Sequence, residues 1–137
     1  MKIGVMADSH DRMDYLREAV RILKERDIDT VFHLGDFVSP FTIPLLDFKN
    51  VHSVFGNNDG DRLQLSARAE EMGFQIHPGP REVEVNGRRI VFMHEPYGID
   101  SFRKSEIYDL ILYAHTHEFK INENPMTVNP GELCGWL

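Results

Sequence analysis

The sequence predicts a layered α/β domain built on a mixed sheet or on two sheets. Short apolar runs alternate with amphipathic segments in the first half of the chain, and hairpin signals follow in the second half. A length of 137 residues gives room for one domain, spanning residues 1–137. With 42% hydrophobic and 27% charged residues, the chain can build a core and falls outside the disordered class.

Residues 2–7 form an apolar run of the length of a buried strand. Asp11 then stands as an N-cap, with Asp14 three residues on, close to a capping box. Leu16, Ala19, Val20 and Leu23 recur at helical spacing, and Lys24 and Arg26 fall where the helix dipole favours cations. Residues 30–34 and 51–55 read as further strands, and 62–72 as a second helix. Runs at 81–85 and 88–93 flank Asn86-Gly87, a pair suited to the type I′ turn of a hairpin. Residues 109–113 form another buried strand, and 119–128 a second hairpin turning through Asn122-Glu123-Asn124.

Composition excludes several classes. A net charge of −7 argues against an extended nucleic-acid surface. Cys134 stands alone, so intrachain disulfides and Cys-rich zinc modules are out. The apolar run before Asp8 is too short for a signal peptide or a membrane span, and no other stretch approaches bilayer length. The expectation is a soluble cytoplasmic protein with no membrane partner.

The strand ends carry the chemistry. The successive runs stop at Asp8-Ser9-His10, Gly35-Asp36, Gly56-Asn57-Asn58-Asp59, His94 and His115-Thr116-His117. Each delivers a metal-competent side chain at its C-terminal end, the edge where open α/β sheets bind ligands. Taken singly, the motifs also read as ordinary turns or as a buried histidine. Together Asp8, His10, Asp36, Asn57, His94, His115 and His117 supply four bonds to each of two ions if one carboxylate bridges. Asp36 is the natural bridge, because its two oxygens can be shared. Two ions about 4 Å apart suit in-line displacement at phosphorus by a shared hydroxide. His33 and His52 read as ordinary strand residues, and His77 as a loop residue.

With all five motifs in order, the chain resembles the calcineurin-like metallophosphoesterases, especially their small YfcE-type phosphodiesterases. The family pattern is Asp-x-His, Gly-Asp, Gly-Asn-x-Asp, a lone His and Gly-His-x-His, and Asn129-Pro130-Gly131 matches a segment common after it. The resemblance implies a two-sheet αββα sandwich with the site at the C-terminal ends of the strands. It implies one ion on Asp8, His10, Asp36 and His117, and another on Asp36, Asn57, His94 and His115. The expected reaction is phosphodiester hydrolysis by a metal-bridging hydroxide, with Asp36, Asn57 and His94 as catalytic candidates.

This chain departs from the pattern in three ways. Asn58 stands where many members carry a histidine able to protonate the leaving group. Glu95 and Ala114 replace glycines beside His94 and His115, and Glu95 is expected to support a ligand histidine. The chain also ends soon after Asn129-Pro130-Gly131, so a sheet edge is expected to lie open or to pair with a second copy.

Four His, two Asp and one Asn favour Mn, with Ni, Zn, Fe or Co as alternatives, and suit Ca and Mg poorly. Two such ions would move the formal charge from −7 to −3, all of it at the site that receives a small phosphorylated substrate. Arg12 and Tyr97 are candidates for touching that substrate. The competing expectations are a non-catalytic scaffold, like the retromer subunit of the same fold, and a phosphomonoesterase or pyrophosphatase. The complete ligand set favours the enzyme, and Asn58 favours diesters.

Overall fold

The computed structural model describes residues 1–136; Leu137, the last residue of the predicted domain, lies outside the described residues. Along the chain run β1 (Gly4–Met6), α1 (Met13–Glu25), β2 (Thr30–His33), a 3-10 helix (Pro40–Leu45), β3 (Asn50–Val54), α2 (Arg62–Glu71) and β4 (Ile76–His77). The second half contains β5 (Arg81–Val85), β6 (Arg88–Phe92), α3 (Ile99–Ser105), β7 (Leu110–Leu112), β8 (Phe119–Glu123) and β9 (Met126–Pro130).

Two sheets result. The first is parallel, in the order β1-β2-β3-β4, with Met6 opposite His33 and His33 opposite Ser53. The second has the order β5-β6-β7-β9-β8. Its hairpins β5–β6 and β8–β9 are antiparallel, whereas β6, β7 and β9 run parallel.

Alternation along the strands explains the layers. Val31 faces one core with Leu16 of α1 and Leu65 and Ala69 of α2. Its neighbour Phe32 faces the other way, into a core shared with Ile90, Phe92 and Leu112 of the second sheet. Val91 and Ile111 then point outward against Ile99 and Phe102 of α3. Residues 31–32, 90–92 and 111–112 are therefore covered on both faces of their strands, which is why they read as apolar runs. Each fully buried Phe or Leu contributes roughly 1.5–3 kcal/mol. Helices, sheet, sheet, helix is the αββα order that the motifs implied.

Several expectations need correction. Arg12, not Asp11, precedes the first turn of α1, and no side chain caps it. The Asp11 carboxylate instead accepts hydrogen bonds from the Ser39 N–H and hydroxyl, at 2.9 and 2.6 Å. A distant loop outcompetes the local cap. His77 lies in β4 rather than in a loop, where its strand pairs with β3. The last hairpin turns at Asn124-Pro125, at the C-terminal end of the predicted turn, and β8 lies at the edge of its sheet. Among the described residues, no helix is long and apolar enough to cross a membrane.

Candidate metal centre

Asp8 and His10 follow β1, Asp36 follows β2, Asn57 follows β3, His94 follows β6, and His115 and His117 follow β7. Each sheet therefore sends its loops to one shared edge. The positions are not relaxed ones. Asp8, His10, Asp36, His115 and His117 have φ between +39° and +69°. A non-glycine residue there costs of order 1–3 kcal/mol and persists only when its surroundings hold it.

Three polar anchors do the holding. Oδ2 of Asp59 accepts the N–H groups of Asp36 and Gly56 at 2.9 and 2.7 Å, and Oδ1 accepts that of Val38 at 2.8 Å. The buried Asn129 amide donates to the Ala114 carbonyl and the Thr116 hydroxyl, and so pins the loop that carries His115 and His117. His33, wholly buried and stacked on Phe37, takes the Gly35 N–H at Nδ1 and donates from Nε2 to the Ser9 hydroxyl. It ties the first two loops together, and burial pushes its pKa down to about 3, so the ring is neutral. Glycine is obligatory where these loops touch: a Cβ on Gly56 would fall 2.1 Å from Oδ1 of Asp36, and one on Gly35 2.5 Å from the Gly56 nitrogen.

The functional atoms converge within the loops. Oδ2 of Asp36 lies 3.2 Å from Nε2 of His10 and 3.5 Å from Nε2 of His94, midway between the two proposed sets. Oδ1 of Asp8 lies 3.3 Å from Nε2 of His117 and 3.9 Å from that of His94. Oδ1 of Asn57 lies 3.0 Å from both Nε2 of His94 and Nδ1 of His115. The structure thus brings all seven predicted residues to one place. Burial alone would raise the Asp36 carboxyl, but His94 and two donors from Asn58 pull it well below the usual carboxylate range. Burial raises Asp8, against the opposing pull of His94 and His117.

Hydrogen-bond directions test whether metal ions fit. The Leu34 carbonyl accepts from Nδ1 of His94 at 2.7 Å, so that nitrogen carries the proton. Burial opposes a charge on the ring, but the Asp36 carboxylate raises its pKa, so Nε2 can also carry a proton and donate it to Oδ1 of Asn57; with that proton gone, its lone pair faces the oxygens of Asn57 and Asp36. Glu132 accepts from Nδ1 of His117 at 2.5 Å, and Nε2 of that ring lies 3.3 Å from the Asp8 carboxylate. Oδ1 of Asp8 and Nε2 of His10 are buried without a hydrogen-bond partner. An imidazole nitrogen free of its proton among carboxylate and amide oxygens is a position that a divalent cation can take. The donors are oxygen and imidazole nitrogen, the set that favours transition metals.

Other candidates fare differently. Arg12 is engaged by Asp14, by the Cys134 carbonyl at 2.8 Å and by the Tyr15 ring. Glu95 does not orient His94, whose Nδ1 is taken by Leu34. Glu132 was not foreseen, although it directly follows Asn129-Pro130-Gly131; nor was Trp136, whose ring lies 4.3 Å from that of His10. A larger cavity of about 440 Å³, lined in part by His52 and His77, shares none of the strand-end residues.

Two sheets between helices, with Asp, Asn and His side chains gathered at their common edge, define the metallophosphoesterase class. The chain belongs to the calcineurin-like phosphoesterase superfamily, whose domain model matches residues 1–137. It is similar to phosphodiesterase MJ0936 of Methanocaldococcus jannaschii, with 35% identity over all of this chain and 87% of that protein. Among solved structures it is similar to an archaeal phosphodiesterase, with a TM-score of 0.89 and 33% identity, covering 100% of this chain and 87% of that one. Its fold is also that of YfcE, a phosphoesterase from E. coli, with a TM-score of 0.70 and 16% identity over 97% of this chain and 80% of that one.

Proposed function

We propose that the chain hydrolyses phosphodiester bonds of small phosphorylated molecules with two divalent transition metal ions, Mn first, with Ni, Zn, Fe and Co as alternatives. Asp8, His10, Asp36 and His117 would hold one ion, and Asp36, Asn57, His94 and His115 the other. The observation that carries this is the convergence of Oδ2 of Asp36 on Nε2 of His10 and of His94, at 3.2 and 3.5 Å, beside two buried polar atoms, Oδ1 of Asp8 and Nε2 of His10, that have no hydrogen-bond partner. Such ions, when bound, supply Lewis-acid stabilisation of phosphoryl charge and acidify a coordinated water.

The protein's own groups prepare that chemistry. Leu34 and Glu132 fix the tautomers of His94 and His117, so each ring presents Nε2 inward. The side-chain and backbone N–H groups of Asn58 both donate to Asp36, at 2.9 and 2.8 Å, and keep that carboxylate ionised and aimed. An amide so placed has no acid proton to give, so substrates with good leaving groups suffer least. The name of the 35%-identical relative supports diesters over monoesters or pyrophosphate.

The test is hydrolysis of bis(p-nitrophenyl) phosphate by metal-stripped protein with Mn²⁺, Zn²⁺, Ni²⁺ or Mg²⁺ restored, beside Asp36→Asn. Metal-restored turnover that Asp36→Asn lacks is the expected result. Two ions bound per chain without turnover would overturn it in favour of a metal-binding scaffold. Faster hydrolysis of p-nitrophenyl phosphate would move the substrate class to monoesters.

A further inference from the structure

A cleft of about 200 Å³ opens directly beside the strand-end residues. Asn57 and His94 form part of its wall, so a phosphoryl group handled by those two side chains sends one of its arms into the cleft. Phe55, Pro78, Pro80 and Met93 make the remaining walls largely apolar. Tyr97 also lines it and is 76% exposed. At this size the cleft is below the roughly 300–1,000 Å³ of sites for drug-sized ligands, and it suits one ring system.

Two polar side chains complete the lining, Arg62 and Glu95. Nε of Arg62 donates to the Asp59 carbonyl at 3.3 Å, and its guanidinium lies 4.8 Å from the centre of the Phe55 ring. That leaves its terminal N–H groups for a ligand; among the described residues it has no carboxylate partner. A donor fork, a carboxylate acceptor and an exposed aromatic ring over apolar walls recognise a flat ring with a hydrogen-bonding edge. A sugar arm would leave the apolar walls of Phe55, Pro78, Pro80 and Met93 without a matching face, a quaternary ammonium would meet the Arg62 charge, and an alkyl chain would leave both polar groups unused.

Resting on the proposed function, we infer that the substrate is a phosphodiester bearing a nucleobase on one arm. The base enters this cleft, stacks on Tyr97 and presents its edge to Arg62 and Glu95.

Calorimetric titration of the Mn-loaded protein with adenosine and uridine 5′-monophosphates, ribose 5-phosphate and phenyl phosphate tests this. At least one nucleotide is expected to bind about tenfold more tightly than either of the other ligands. In Tyr97→Ala and Arg62→Ala, both exposed positions whose folding circular dichroism can check, that advantage should fall to about twofold or less. Equal binding of nucleotide and ribose 5-phosphate overturns the inference, as does a phenyl phosphate that matches the nucleotides or a base advantage that survives both variants. Hydrolysis of bis(p-nitrophenyl) phosphate separates the two levels. Turnover without a base advantage overturns the nucleobase cleft alone, whereas absence of turnover overturns the function beneath it.

Discussion

Nε2 of His94, just beyond β6, lies 3.0 Å from Oδ1 of Asn57, just beyond β3, so a side chain from each sheet meets the other at the site. The surrounding loops are held by bonds that need no ion, through Asp59, Asn129 and His33. Chelation is therefore expected to leave the far-UV circular dichroism intact. Restoring each ion at a hundredfold excess over its Kd should raise the unfolding free energy by about 2.7 kcal/mol. Calorimetric or urea unfolding checks this, and a chain that unfolds on chelation would show that the loops depend on metal.

Asp59 anchors the loops that carry Asp36 and Asn57. Its replacement by Ala leaves three backbone N–H groups, those of Asp36, Gly56 and Val38, without their acceptor. A loss of about 2–4 kcal/mol is expected in urea unfolding, with a smaller loss for Asp59→Asn, which keeps one acceptor oxygen. A stability within experimental error of the parent would remove Asp59 from this role.

Glu132 acts through His117. Glu132→Ala should weaken binding of one of the two ions by about 10- to 100-fold, and Glu132→Gln should recover part of it because its amide oxygen can still accept. Calorimetric titration with Mn²⁺ or Zn²⁺ reads both variants. Equal weakening of both ions would point to a general disturbance of the fold.

His33 predicts a pH dependence. Its folded pKa, about 3, lies below the ordinary imidazole value of about 6.5, so the unfolded chain takes up a proton that the folded chain refuses. Its contribution to stability is full above about pH 6.5 and is lost progressively as pH falls toward 3, with a limiting slope of about 1.4 kcal/mol per pH unit. The difference between the metal-free parent and His33→Gln, followed by urea unfolding from pH 7 to 5, should show that slope. Parallel profiles would mean that His33 titrates normally.

Much of this architecture is legible before folding. Residues 31–32, 90–92 and 111–112 are covered on both faces of their strands and so appear as plain apolar runs, and α1 keeps a clean apolar stripe from Leu16 to Leu23. The seven strand-end residues stand out because each run stops at a side chain able to bind metal. The anchors are hidden for the opposite reason: Ser9 and His33 are 24 positions apart, and Asp36 and Asp59 are 23 apart. Asp11 shows the same conflict, since its sequence neighbours ask for a cap while Ser39 offers two donors. Helix α3 has no fully buried residue, and β4 spans only Ile76–His77, so neither leaves a periodic trace.

The division of the ligands between two sheets also orders events in time. Asp8, His10, Asp36 and Asn57 are all made before any residue of the second sheet, whereas His94, His115 and His117 come from that sheet's strands. Roughly sixty residues separate Asn57 from His117, or about 3–12 s of synthesis at 5–20 residues per second. A half-made chain on the ribosome would thus hold carboxylates and one imidazole but no closed pair of sites. On the proposed assignment it would hold the full ligand set of neither ion, and competence would arrive only when the later strands dock.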